Sequence, residues 1–542
     1  MSLKTLLIRP SNPTGSAYLT KWGFLPAPLG LLQLAGSLLT LDDSQVRVID
    51  MEADEEKTVD GVVKEALAFD PDIVGLTIHA TAAHTTSTEI AKKVKEEKGD
   101  ALLVAGGHHA TFVPYDLLRS GFDVVVLGEG DQTILDVAAS LRDGRGLEEV
   151  PGILFNRRED GKSSVVQTVP RALIPDLDAL PLPALHLVKK EPYTIKVFGK
   201  GAVACLETAR GCPYACDFCS VTPTWGHRWR NKSNKRILME LELAKRLGYD
   251  WIFFTDDIFV VYPNVDRRMA LFDAMIENGY DRLKWLVQMR ADVTSKNPAL
   301  IKRGAEAGMR FAFLGVESGS QETLKRMHKG LLTPQSVKAV RILSENGVIV
   351  LIGMMLGAPY ESFRDMLATL RFSHHLADAG ADGVQFTTYT PLPGTRIFDD
   401  ALKNDRLFTL DWSRYDVLTP VMKTRVNPAI IQMLQFYGNY SFYVLKWLEG
   451  KLRRGGGREP KEFKRDLMSN GQKFVFEMIP AYLKDAADFP SQVGRTHRLY
   501  SSLKDMADVS KERVMELRGF SSKVIYQETG GKNPYFLIKE AE

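Results

Sequence analysis

Apolar and polar positions follow two different rhythms along the first part of this chain. Short apolar runs, Lys4-Thr-Leu-Leu-Ile8, Val46-Arg-Val-Ile-Asp50, Ile73-Val-Gly-Leu-Thr77, Leu102-Leu-Val-Ala105 and Asp123-Val-Val-Val-Leu127, have the length and residue types of strands. Between them Leu29 to Leu41, Val59 to Ala68 and Ser87 to Lys98 repeat their apolar positions at helical spacing. Strands alternating with helices predict an α/β fold over residues 1–145: a Rossmann-like, doubly wound parallel sheet. Ligands of such sheets collect beyond the carboxyl ends of the strands.

The alternation resumes at residue 196. Trp251-Ile-Phe-Phe-Thr255, Lys284-Trp-Leu-Val-Gln288, Phe311-Ala-Phe-Leu-Gly315, Val348-Ile-Val-Leu-Ile352 and Gly383-Val-Gln-Phe-Thr387 read as strands separated by amphipathic helices. With the strand-like run Ala202 to Leu206 they suit a partial (β/α)6 barrel over residues 196–410. Residues 146–195 read as a linker: a hairpin across Asp160-Gly161, then the proline-rich run Ile174 to Pro183. Residues 411–542 read as a mostly helical C-terminal domain. There Pro428 to Glu449 gathers Phe436, Tyr437, Tyr440, Phe442, Tyr443 and Trp447, followed by the loop Arg453 to Arg458. Those aromatics either pack the helix on the barrel or close its mouth over a substrate pocket.

The strand ends form a list of candidate contacts. In the first domain they are Thr77, His79 and Thr81, then Gly106, Gly107, His108 and Thr111, then Gly128, Glu129 and Gly130. Glycines there let a bulky ligand approach the backbone, and hydroxyls supply short polar contacts. In the barrel the ends carry Asp256 and Asp257, Gln288 and Arg290, Glu317 and Ser318, Gly357, and Tyr389 with Pro391-Leu-Pro-Gly-Thr395.

Three of the four cysteines stand in one run, Cys212-Pro-Tyr-Ala-Cys216-Asp-Phe-Cys219. Thiolates hold iron-sulfur clusters, and a loop offering three leaves one iron of a cubane open to another ligand. Zinc fits poorly, because Cys205 and His227 stand at no usual zinc spacing, and Cys205 reads as a small buried hydrophobe. With no secretory signal in the chain, a reducing, cytoplasmic setting is expected, which disfavours a disulfide. Composition adds little. The 542 residues are 44% hydrophobic and 25% charged, and a net charge of +3 gives no reason to expect nucleic acid as a partner. No apolar run reaches the length of a transmembrane helix.

The cysteine spacing, with Phe218 before the last cysteine and the flanking Arg210-Gly211-Cys212-Pro213, resembles the cluster loop of radical S-adenosylmethionine (SAM) enzymes. The resemblance implies a [4Fe-4S] cluster on Cys212, Cys216 and Cys219, with SAM chelating the open iron. It places Phe218, Asp256, Asp257, Gln288, Arg290, Glu317, Ser318, Gly357 and Tyr389 around SAM. Pro28-Leu-Gly30, Gly106-Gly-His-His-Ala-Thr111 and Val125-Val-Leu-Gly-Glu-Gly130 in turn resemble the cobalamin-binding domain that precedes the radical domain in one branch of that superfamily. The Asp-x-His-x-x-Gly run that supplies a histidine to cobalt in many cobalamin folds is missing. His79, His84, His108 and His109 are the substitutes in sight, and base-off cobalamin with a lower face free of histidine is the expectation.

The branch implies a methyltransferase that moves a methyl group from SAM, via methylcobalamin, to an unactivated carbon; oxidation, cyclisation or rearrangement without methyl transfer is the alternative. It also implies a ferredoxin- or flavodoxin-type electron donor and a small-molecule, lipid or peptide substrate. Methylthiotransferase relatives carry a second cluster on N-terminal cysteines, and residues 1–204 contain no cysteine.

Overall fold

The computed structural model describes residues 2–12, 24–54, 56–159, 162–195, 201–262, 264–452 and 487–501, and the short strands Ile525–Tyr526 and Phe536–Leu537. The Asp160-Gly161 turn and the loop Arg453 to Arg458 lie outside the described residues. The first sheet is built from β1 (Leu3–Arg9), β2 (Ser44–Asp50), β3 (Ile73–Thr77), β4 (Leu102–Gly106) and β5 (Val124–Val126). These run parallel in the order β2-β1-β3-β4-β5, with helices such as Leu29–Leu38, Val59–Phe69 and His84–Glu97 between them. Their side chains feed two cores, one on each face, as an almost wholly apolar strand such as β3 requires.

The hairpin expected in the linker forms, but it joins this sheet. β6 (Ile153–Glu159) pairs antiparallel with β5, and β7 (Lys162–Gln167) pairs antiparallel with β6, making seven strands in all. The reason is burial: Ile153, Leu154 and Phe155 complete the cores that β5 leaves open at its edge. The proline-rich run beyond it is clamped on both sides. The Pro181 carbonyl accepts from Gln33 Nε2 (2.8 Å) of the first domain and from Arg236 Nη2 (2.7 Å) of the second.

The second sheet holds β8 (Val203–Leu206), β11 (Trp251–Phe254), β12 (Lys284–Arg290), β13 (Met309–Glu317), β14 (Ile349–Leu356) and β15 (Gly383–Thr388), all parallel and in chain order. It is the open six-stranded barrel that the periodicity predicts. A two-stranded neck lies between β8 and β11, where β9 (Ala209–Arg210) pairs antiparallel with β10 (Arg230–Asn231). Cys205 sits fully buried in β8, and burial pushes its thiol up to about 12, as suits an inert core residue.

An open barrel leaves a strand edge at β15, and the aromatic helix Pro428–Leu452 covers it. Tyr443 Oη contacts both Val384 N (3.1 Å) and Val384 O (3.0 Å). Asn439 accepts from Phe386 N (2.9 Å) and donates to Phe386 O (3.0 Å), where Gln435 also donates (2.8 Å). Side chains thus replace the strand that would have continued the sheet. Phe442 is fully buried against the barrel, so of the two readings of this helix it is the packing role that these contacts serve. No helix among the described residues is long and apolar enough to cross a membrane.

Replacing Asn439 with alanine strands the buried N–H of Phe386, whose carbonyl keeps Gln435, and should cost about 1–3 kcal/mol. The expected outcome is a lower thermal midpoint with bound cobalamin unchanged, measured by circular dichroism and by corrinoid absorbance.

Candidate functional site

The three cysteines occupy a loop whose ends are closed by the β9–β10 neck. All three are free thiols on one short segment, half-buried. Burial pushes Cys212 up to about 11 and Cys219 up to about 12, each pushed further by the charge of its neighbouring thiols. Clustered thiols that resist ionisation in the free protein are stabilised as thiolates by metal, which deprotonates its ligands outright. Gly211 sets the entry. Its φ of +91° favours glycine, and a side chain there would run into the Arg228 carbonyl.

The strand ends hold this loop from below. Asp256 accepts from Thr208 N (2.6 Å), Ala209 N (3.2 Å) and the Thr208 hydroxyl, and Arg268 Nη2 approaches it at 3.1 Å. Both of its oxygens are occupied by the neck, which makes it a positioning group. Asp257 accepts from Gly211 N (3.1 Å), one residue before Cys212, through Oδ2. Burial is the main cause that raises Asp256 to about 6 and Asp257 to about 7, and hydrogen bonds from the neck oppose it.

Arg290 stands directly beside the cluster loop. Its guanidinium stacks 3.7 Å from the ring centre of Tyr214, reaches Cys216 Sγ at 3.8 Å, and is held by Asp292 (2.9 Å) and the Lys329 carbonyl (2.5 Å). Glu317 ends β13 beyond an irregularity in the ladder, with a φ of +70° that is strained for a branched-free but non-glycine residue. It pairs with Lys329 Nζ at 2.6 Å, a partner that the sequence reading missed. Phe218 packs edge-on against Tyr389 (5.8 Å), and Lys329 lies 6.0 Å from its ring centre. Gln288 is half-buried on the same rim, with no side-chain bond among the described residues.

Two expected contacts turn inward instead. Ser318 is fully buried and bonds Thr369 Oγ1 (2.9 Å) and Ser320 N (3.1 Å), so its hydroxyl orders the turn after β13. Gly357 donates its N–H to Glu361 Oε2 (2.8 Å) and leaves room for Ile431 of the edge-covering helix. Nothing but a hydroxyl and a glycine marked these positions in the sequence, and both residue types also build turns.

The carboxyl edge of the first sheet faces this loop. Gly107 (φ +102°) starts the helix His108–Phe112 tight against the Ile78 carbonyl, and Gly128 (φ +79°) has open space where a side chain would be. Thr77 and Gly106 are half-buried at the ends of β3 and β4, while Thr81 opens the short turn Thr81–Ala83 and is buried. Gly130 packs near Leu34. Thr111 is bound within the edge, accepting from Gly128 N (3.1 Å) and donating to Gly107 O (3.0 Å). His108 Nδ1 meets Thr224 Oγ1 at 2.7 Å and its ring packs on Trp225, both in the helix Val221–Trp225 that follows Cys219. The open space at Gly128, beside the half-buried ring of His108 and the exposed ring of His79, suits a bulky, flat cofactor.

Glu129, like His108, reaches out of its domain. Its carboxylate is buried and meets Arg210 (3.0 Å) and Arg230 (2.9 Å), the paired residues of the neck, while its Oε2 accepts from Ile174 N (2.7 Å). Asp131 takes Arg210 through two bonds of 2.8 and 3.2 Å, and Glu207 binds it from the barrel side. Lys232 and Arg236 extend the network through Glu240, each at 2.7 Å. Arg210, Arg230, Lys232 and Arg236 thus face Glu129, Asp131, Glu207 and Glu240, four cations against four carboxylates in a largely buried joint.

Known proteins agree with this two-part site. A B12 binding domain model matches residues 15–138, and a Radical SAM superfamily model matches residues 206–373. An uncharacterized methyltransferase of Pyrococcus horikoshii is 34% identical over 78% of this chain and 88% of its own. An anaerobic magnesium-protoporphyrin IX monomethyl ester cyclase of Rubrivivax gelatinosus is 27% identical over 83% of this chain and 80% of its own. The cobalamin-dependent SAM radical enzyme OxsB, solved with aqua-cobalamin and SAM, superposes with a TM-score of 0.64 at 19% identity, over 96% of this chain and 79% of that one. The architecture is that of a cobalamin-binding domain joined to a radical SAM domain. The chain belongs to the cobalamin-dependent radical SAM enzymes.

Replacing Arg210 with methionine leaves Glu129 and Asp131 buried without their strongest partner, a loss of about 3–5 kcal/mol. The expected outcome is a sharply lower unfolding midpoint and, in protein that still folds, reduced iron content after anaerobic reconstitution, measured by iron assay.

Proposed function

We propose that this enzyme moves a methyl group from SAM to an unactivated carbon of a small organic substrate. One observation carries the reading: the carboxyl edge of the first sheet is bolted to the neck of the cysteine loop by Glu129 and Asp131. A substrate carbon held between the two must face both cofactors at once, the near-attack arrangement that radical generation followed by methyl capture requires.

When bound, a [4Fe-4S] cluster supplies the electron that cleaves SAM, and cobalamin supplies the methyl group. Cys212, Cys216 and Cys219 would hold the cluster, presented on a loop that Asp256 and Asp257 fix through the backbone of residues 208–211. Arg290 brings a fixed positive charge to that loop, suited to the SAM carboxylate or the reduced cluster. The Glu317–Lys329 pair and Phe218 with Tyr389 shape the rim where the adenosyl part would lie. Thr77, His79, His108, Gly107 and Gly128 would line the corrinoid, while Glu129 acts on the joint. A small iron-sulfur or flavin protein would deliver electrons.

Cyclisation without methyl transfer is the second reading, favoured by the cyclase likeness over 83% of the chain. The 34% identity to a protein named as a methyltransferase supports the first. Anaerobic, reduced holoenzyme incubated with SAM labelled in its methyl group decides between them. Label recovered in the protein-bound corrinoid is expected, and a corrinoid that stays unlabelled while SAM is cleaved would reject methyl transfer.

Cys216→Ala should abolish formation of 5'-deoxyadenosine while corrinoid binding persists, followed by chromatography and absorbance on the same sample.

A further inference from the structure

Four of the chain's ten histidines meet at the carboxyl ends of β3 and β4, and their surroundings set them apart. His84 and His109 are buried and bonded to one another, Nδ1 to Nε2, at 2.9 Å, with both rings against Trp412. The second nitrogen of His109 has no partner among the described residues, but it is buried away from any ligand. His108 gives its Nδ1 to Thr224. His79 differs on both counts: its side chain is open, and it has no hydrogen bond among the described residues.

His79 is nonetheless no outer-surface residue. Its ring packs edge-on against the half-buried His108, inside the carboxyl edge of the sheet, and both desolvation there and the Arg9 guanidinium lower its pKa. The imidazole is therefore neutral near pH 7, with a lone pair to offer. Its backbone is clamped, since Ile78 donates to Gly106 O (2.7 Å) and accepts from His109 N (3.0 Å). Its ring stands edge-on to His108 at 4.7 Å, and His108 is itself fixed by Thr224 and Trp225. An accessible, uncharged, pre-oriented imidazole with no partner is the form in which histidine binds a transition metal.

We propose that His79 supplies a nitrogen to the lower axial position of the cobalt, replacing the histidine of the missing Asp-x-His-x-x-Gly run. This rests on the carboxyl edge of β1–β5 being the corrinoid site, and it revises the expectation of a lower face free of histidine. A second consequence follows from the ring contact. The residue that orients the axial ligand, His108, is bonded to the helix that follows the cluster cysteines, so the cobalt's coordination is set partly by the radical domain.

The test is electron paramagnetic resonance of the holoenzyme carrying cob(II)alamin, prepared once with natural histidine and once with nitrogen-15 histidine. The unpaired electron lies along the axial direction, so a histidine ligand splits each cobalt line into a triplet, which becomes a doublet on labelling. That change, with loss of the splitting in His79→Ala at undiminished cobalamin content, is the expected result. Absence of nitrogen splitting overturns the proposal, as does a triplet that ignores the label or survives in His79→Ala. Should the variant fail to fold, the labelling comparison in the wild-type protein decides alone between a histidine and a nucleotide base. Wild-type protein that retains no cobalamin would instead bring down the corrinoid site itself, and the proposal with it.

Discussion

The joint around Arg210 is the interaction on which the rest of this molecule depends. Taking a guanidinium and three carboxylates out of water is costly, and such a cluster stands only when every charge has its partner. Here Arg210 and Arg230 lie opposite each other across the neck and would repel; Glu129, from the other domain, neutralises both. The first domain therefore completes the charge balance of the neck that closes the cysteine loop. Burial alone would raise Asp131, yet Arg210 outweighs it and holds the carboxyl below its ordinary value, which keeps the joint charged and intact.

Around that joint the two sheets share one design. Each presents the carboxyl ends of parallel strands, where successive loops converge and polar side chains find no competing ladder bonds. Each also protects an exposed edge by a different device. The first sheet adds the β6–β7 hairpin, and the barrel lays a helix along β15 whose Gln435, Asn439 and Tyr443 stand in for a strand's amides and carbonyls.

Much of this was legible in the chain itself. Short, nearly continuous apolar runs located β1–β5 and β11–β15 to within a few residues, because burial on both faces leaves such strands little freedom of composition. The cysteines were legible because their chemistry needs a fixed spacing. What escaped was everything decided by partners far away in sequence. Glu129 looked like a strand-end ligand and is an interdomain anchor, since nothing local to Gly128-Glu-Gly130 encodes Arg210 or Arg230. Asp256 and Ser318 were read as facing a ligand, yet the amides of Thr208 and Ala209 and the Thr369 hydroxyl of the helix Phe363–Asp378 claim them. Lys329 was invisible because it lies on a loop with no periodic signal, and only the fold brings it to Glu317. The aromatic helix allowed two readings, packing on the barrel or closing its mouth, and aromatic content alone does not choose between them.

Contacts of the last barrel loop carry a consequence for how this protein can diversify. Gly394 has a φ of +85° and no room for a side chain against Phe112 of the first domain, and Trp412 donates to Asp116 there at 3.0 Å. Together with the Arg210 joint, these contacts tie the first domain to both the beginning and the end of the barrel. The two domains are therefore not interchangeable modules. A cobalamin domain transplanted from a relative would have to bring its own match for the neck and a residue as flat as Phe112 beneath Gly394, so the pair must drift in sequence together, as one inherited unit.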